Sequence, residues 1–133
     1  MLIPTIHFAG NCDEVIQFYV NTIGARVQMI AYAKDSPEDT GLAPNNVMHS
    51  QLEIFGTVVA LTDGCEKPPT EPNHTFTVMF DTAQEVIDVF NKLAPGGKII
   101  DPLGEQFWAD MTGMLTDRFG VNWCLLTKTM PNS

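Results

Sequence analysis

The segment Glu14-Val15-Ile16-Gln17-Phe18-Tyr19 returns 71 residues later as Glu85-Val86-Ile87-Asp88-Val89-Phe90, and this repeat constrains the fold more than any other feature of the chain. Each copy carries apolar residues at helical spacing: Val15, Ile16, Tyr19 and Ile23 in one, and Val86, Ile87, Phe90 and Leu93 in the other. These positions stack on one face of a helix with about 3.6 residues per turn. Asn11 or Asp13 is placed to cap the first helix. Thr82 is placed to cap the second, with Glu85 completing a capping box. Gly24 and the run Pro95-Gly96-Gly97 supply the stops.

A strand-like run precedes each helix, Ile3–Phe8 in one copy and Thr75–Phe80 in the other. Three more follow each helix: Arg26–Ala33, Val47–Phe55 and Thr57–Thr62, then Lys98–Asp101, Phe107–Thr116 and Val121–Thr127. The last hairpins echo each other through Phe55-Gly56 and Phe119-Gly120, and the loop Lys34–Asn46 makes the first copy longer. The reading is α+β: two βαβββ modules, about 1–64 and 73–129, in a single domain spanning 1–133, with a proline-rich linker at 65–72. Helices cover one face of each small sheet, and pairing the modules leaves a cup-shaped cavity for the other faces.

Seven Lys and Arg against sixteen Asp and Glu give a formal charge of −9, which repels phosphate backbones and argues against a nucleic-acid partner. An acidic body also favours a cationic ligand by long-range attraction. No apolar run is long enough to span a membrane, and Met1-Leu2-Ile3-Pro4 has no signal-peptide character, so the expected location is cytoplasmic. Cys12, Cys65 and Cys124 are odd in number and contain no CxxC pair, which favours free thiols over a disulfide framework or structural zinc.

Strand alternation selects the residues that face the cavity. His7 lies on one face of the first strand, and His49, Gln51 and Glu53 share one face of a later strand. A His–carboxylate set of this kind suits general acid–base work, or a non-standard metal site from His7, His49 and Glu53; the alternative is a polar strand face open to water. Trp108, with Asp110 and Thr112 at alternating positions, offers an aromatic wall for a flat or hydrophobic ligand, or else packs at an interface or sheet edge. Cys124 reads as an inward-facing thiol, more a small hydrophobe than a nucleophile. Asp117 reads as turn chemistry, Trp123 as core, and Met29, Met48, Met79, Met111 and Met114 mostly as core.

Phe8-Ala9-Gly10-Asn11-Cys12-Asp13-Glu14 with Phe18-Tyr19, and the tail Glu105-Gln106-Phe107-Trp108-Ala109 with Thr116-Asp117-Arg118-Phe119-Gly120-Val121-Asn122-Trp123, resemble the PhnB-like family. That family belongs to the glyoxalase, bleomycin-resistance and extradiol-dioxygenase (vicinal oxygen chelate) superfamily. The resemblance implies the glyoxalase/bleomycin-resistance fold, a homodimer and a small-molecule ligand. Members are often labelled 3-demethylubiquinone 3-methyltransferase-like, yet no glycine-rich loop follows a first Rossmann-type strand here. Metal-dependent members place ligands at positions that fall here near Ile3, near Ala60, at His74 or Thr75, and at Cys124. Ile and Ala cannot ligate, so neither the usual metal nor another cofactor is expected. The functional expectation is a small organic molecule bound in the cavity through His7, His49, Gln51, Glu53, Trp108, Asp110 and Cys124. The alternative is a metal-dependent lyase, transferase or dioxygenase of the same superfamily.

Overall fold

The computed structural model describes residues 1–64 and 73–128, so the 65–72 linker and Cys65 lie outside it. The described residues form two compact units, each with one sheet. The first runs β1 (Thr5–His7), α1 (Cys12–Ile23), β2 (Arg26–Tyr32), a 3-10 turn at Ala33–Asp35, β3 (Val47–Ile54) and β4 (Thr57–Thr62). The second runs β5 (Phe76–Phe80), α2 (Ala83–Leu93), β6 (Lys98–Gln106), β7 (Ala109–Thr116) and β8 (Asn122–Thr127). Strand order is β1-β4-β3-β2 in one sheet and β5-β8-β7-β6 in the other. In each, the first and last strands of the unit pair in parallel and the rest are antiparallel.

Each helix buries the face its periodicity marks. Val15, Ile16 and Tyr19 are fully buried on α1, and α2 buries Val86, Phe90 and Leu93. Helix α1 packs on β3 and β4, where Leu52 and Leu61 are fully buried; α2 packs on β5, β7 and β8, near Leu115 and Leu125. Gly24 closes α1 in the left-handed region (φ 69°), and the following amide of Ala25 donates to the Tyr19 carbonyl at 3.2 Å.

The helix starts differ from one another. Thr82 caps α2 locally, accepting from the Glu85 amide at 3.2 Å while its hydroxyl donates to the Glu85 carboxylate at 3.0 Å. Asn11 stands at the α1 cap position without a side-chain cap bond. The acceptor comes instead from Asp63, just past β4. Its Oδ1 accepts from the amides of Gly10 (2.8 Å) and Cys12 (3.0 Å), and its Oδ2 accepts from Val47 at 2.9 Å. At the corresponding place 64 residues on, Thr127 accepts one such amide among the described residues, that of Met111 at 3.2 Å. A carboxylate therefore replaces the hydroxyl where the adjacent helix lacks a side-chain cap of its own.

Cys12, the first residue of α1, is fully buried. Burial, then the nearby Asp63 and Asp13 carboxylates, push its thiol up to about 12 from an ordinary 9.0, against a smaller opposing effect of its hydrogen bond with Ser50. The unfolded thiol ionises near 9 and the folded one only near 12, so this group's contribution is intact below pH 9 and is lost between 9 and 12. Urea unfolding midpoints are expected to fall across that window and to fall less steeply in Cys12→Ala. Equal slopes in the two proteins would contradict this account.

Three expectations are corrected. Strand β6 does not stop at Asp101 but continues through Pro102 to Gln106. It is an edge strand, where the missing proline amide costs no ladder bond. Phe107 and Trp108 consequently form the two-residue turn between β6 and β7 instead of opening β7. The two hairpins echo only in part. Phe55 (φ 48°) and Gly56 (φ 80°) make a two-residue connection, whereas β7 and β8 are joined through residues 117–121. Asp117 organises that longer turn, its Oδ1 accepting from the amides of Phe119 (2.9 Å) and Val121 (3.1 Å). Its Oδ2 accepts from the Trp123 indole at 2.9 Å, and both residues are buried. Finally, none of Met29, Met48, Met79, Met111 and Met114 is a buried core residue; Met79 is 53% exposed. Unbranched thioethers here line half-open sheet faces rather than fill the interior. No described helix is long and apolar enough to cross a membrane.

Candidate functional site

Alternation along β7 and β8 sends Leu115, Trp123 and Leu125 into the buried core and leaves Thr112, Met114, Cys124 and Leu126 on the opposite face. Cross-strand register then assembles rows. Asp101, Met114, Cys124 and Thr77 lie opposite one another across β6, β7, β8 and β5; Gly104, Thr112, Leu126 and Met79 form the next row. Three register shifts interrupt the β6–β7 ladder. Such irregularities bend a strand and increase its twist.

Over these rows lies a cavity of about 340 Å³. Trp108, Pro102, Met114 and Leu126 supply its apolar wall. Asp101, Gln106, Thr112 and Cys124 supply polar atoms, and Gly113 completes the lining. This volume falls at the small end of ligand sites, which run roughly 300–1,000 Å³. The Trp108 ring is braced edge-on by Phe107, with centroids 4.9 Å apart. Gly113 is also a packing position: an added Cβ would come within 2.8 Å of the Phe90 ring, so the glycine lets α2 sit close to β7. Burial raises the Cys124 thiol above its ordinary range, opposed by a hydrogen bond with Thr77 and reinforced by the Asp101 charge. A ligand therefore meets it as a neutral thiol at neutral pH.

In the first unit the register puts Gln51 opposite Ala60 and Met29, His49 opposite Ala31, and Glu53 opposite Val58 and Arg26. Gln51 Nε2 lies 3.2 Å from His49 Nε2. Glu53 is held by Arg26 at 2.8 Å, in an exposed pair of the kind worth at most about 1 kcal/mol. His7 is exposed on β1, opposite Thr62. The exposed His74 stacks edge-on against Phe76, 5.9 Å between centroids. Among the described residues, no three His, Cys, Asp or Glu side chains are grouped so as to hold a metal ion.

Of the residues singled out from sequence, Trp108, Thr112 and Cys124 line one cavity, while Asp110 is exposed and outside its lining. In the first unit, His49, Gln51 and Glu53 form a polar ladder along β3. Sequence reasoning missed Asp101, Pro102 and Gln106 as lining residues because it ended β6 at Asp101, before the proline. The sequence offered no direct signal for this, since a proline is compatible with an edge strand or a bulge as well as with a strand's end.

Comparison with known proteins agrees with this architecture. The family model for 3-demethylubiquinone-9 3-methyltransferase matches residues 1–126. Protein YjdN of Escherichia coli K12 is 33% identical, with 98% of this chain and 97% of that protein covered. The crystal structure of PA1353 from Pseudomonas aeruginosa superposes with a TM-score of 0.83 at 32% identity, covering 96% of this chain and 97% of the other. A PhnB protein from Bacillus cereus gives 0.80 at 25% identity, over 95% and 98% of the two chains. In fold alone, the likeness extends to the fosfomycin resistance protein FosX of Listeria monocytogenes, at a TM-score of 0.67 and 13% identity over 98% and 93% of the two chains. The two βαβββ units have the α+β fold seen in glyoxalase and bleomycin-resistance proteins, and the chain belongs to the PhnB-like, 3-demethylubiquinone-9 3-methyltransferase family.

Proposed function

We propose that this protein binds a small organic molecule in the cavity on the β6–β8 face of its second unit, without the metal used by metal-dependent members of the superfamily. The observation that carries this reading is the cavity of about 340 Å³ itself, with Trp108 on one wall and Thr112, Gln106 and Cys124 as orienting polar groups. Small-molecule sites combine mostly apolar lining with a few placed polar groups in this way. Action as a cytoplasmic homodimer, with both units working as one domain, belongs to the same reading. Asp110 stands outside the lining of this cavity, and His7, His49, Gln51 and Glu53 belong to the first unit.

Metal chemistry through His49 and Glu53 is the weaker reading. Four residues along a strand separate them by roughly 13 Å, too far for two ligands that each need about 2 Å to one ion. Methyl transfer gains nothing from the sheets either, since each holds a single parallel pair instead of the doubly wound parallel sheet that cradles nucleotide cofactors. A thermal-shift screen of small organic compounds is expected to give hits whose affinity drops about tenfold or more in Trp108→Ala, because an aromatic wall supplies much of such a site's contact area. Hits that bind the variant equally well would remove Trp108 from the site.

A further inference from the structure

The charge inventory of the cavity is one-sided. Asp101 contributes a carboxylate, and among the described residues no Lys, Arg or His lines the cavity. Cys124 is uncharged, as its burial and the Asp101 charge require. The surrounding chain does not redress the balance, with seven acidic against four basic residues between 73 and 128. Two of those four cations are engaged away from the cavity: Lys128 with Asp81 at 2.7 Å, and Arg118 with the Pro95 carbonyl at 3.1 Å. Glu105 and Asp110, on the strands either side of the turn that carries Trp108, are two of those seven acidic residues.

Resting on the binding reading above, we infer that the cavity selects a compact organic cation, a quaternary or protonated amine on an apolar or single-ring frame. Asp101 provides the counter-charge and Trp108 the aromatic face. Indole is the strongest side-chain partner for a cation, attracting one placed within about 6 Å of the ring. An anion would meet the Asp101 carboxylate with no cationic side chain to offset it. A neutral ligand would gain the apolar wall but leave the carboxylate unused. The small volume restricts the frame to about one ring.

The test compares three probes of similar shape on the full chain by amide-detected NMR titration: phenyltrimethylammonium, its neutral isostere tert-butylbenzene, and benzenesulfonate. The cation is expected to bind at least tenfold tighter than either other probe, shifting the amides of Thr112, Met114, Cys124 and Leu126. Asp101 is exposed on an edge strand, so Asp101→Asn should fold normally, weaken the cation about tenfold and leave tert-butylbenzene unchanged. Equal or tighter binding of the neutral or anionic probe overturns charge selection while leaving the binding reading in place. A cation preference that survives in Asp101→Asn overturns the assignment to that carboxylate. If no probe shifts those amides the inference fails, and the binding reading fails with it only if a broad set of neutral and anionic fragments also leaves them unmoved.

Discussion

Asp63→Ala is expected to lower the unfolding free energy by roughly 3–5 kcal/mol, near the upper end for a single substitution. The side chain is 3% exposed and accepts three backbone amides, those of Gly10, Cys12 and Val47. Alanine leaves all three donors without this acceptor; those of Cys12 and Val47 are buried, where each orphan costs about 1–3 kcal/mol, while the part-buried Gly10 amide adds less. One carboxylate thus closes the α1 N-terminus, where negative charge also suits the helix dipole, and fixes the start of β3. Asp63→Asn keeps one acceptor oxygen and should lose less. Urea unfolding followed by circular dichroism measures both, and a loss below about 1 kcal/mol for Asp63→Ala would show that other groups hold these amides.

Gly97→Ala is expected to cost about 3 kcal/mol or more, at or above the top of the usual overpacking range. A Cβ there would lie within 2.2 Å of the Thr116 carbonyl oxygen and 3.0 Å of the Asp117 backbone. Side chains can rotate out of such a clash, but these atoms belong to a turn that the Asp117 carboxylate fixes through two amides. The strain would pass into the β7–β8 turn and the buried Trp123 indole bond. Gly104→Ala is the control. Its added Cβ meets nothing closer than the Pro102 carbonyl at 4.0 Å, so its unfolding midpoint should barely move. Similar losses in the two variants would contradict a steric origin.

Both substitutions probe features that a linear reading does not reach. The helices were legible because Val15, Ile16, Tyr19, Val86 and Phe90 mark their faces within a few residues, and the repeat supplied the strand count. Asp63 carried no such mark. Its partners lie 53, 51 and 16 residues away, so nothing local distinguishes it from a turn aspartate. The same holds in part for the cavity. Trp108 and Cys124 stood out by chemistry, but Asp101 and Met114 join them only through a register that shifts three times along β6. Pro102 hid that register, since the sequence pattern alone does not reveal which strand is the sheet edge.

The proposed function depends on where a ligand sits. The most direct measurement is an amide-detected NMR titration of the isotopically labelled chain with the strongest compound from the thermal-shift screen. Saturable shifts concentrated at residues 101–114 and 124–126 are the predicted result. Shifts concentrated instead along His49, Gln51 and Glu53, with the amides of Thr112, Met114 and Cys124 unmoved, would contradict it and place the site on the sheet of the first unit.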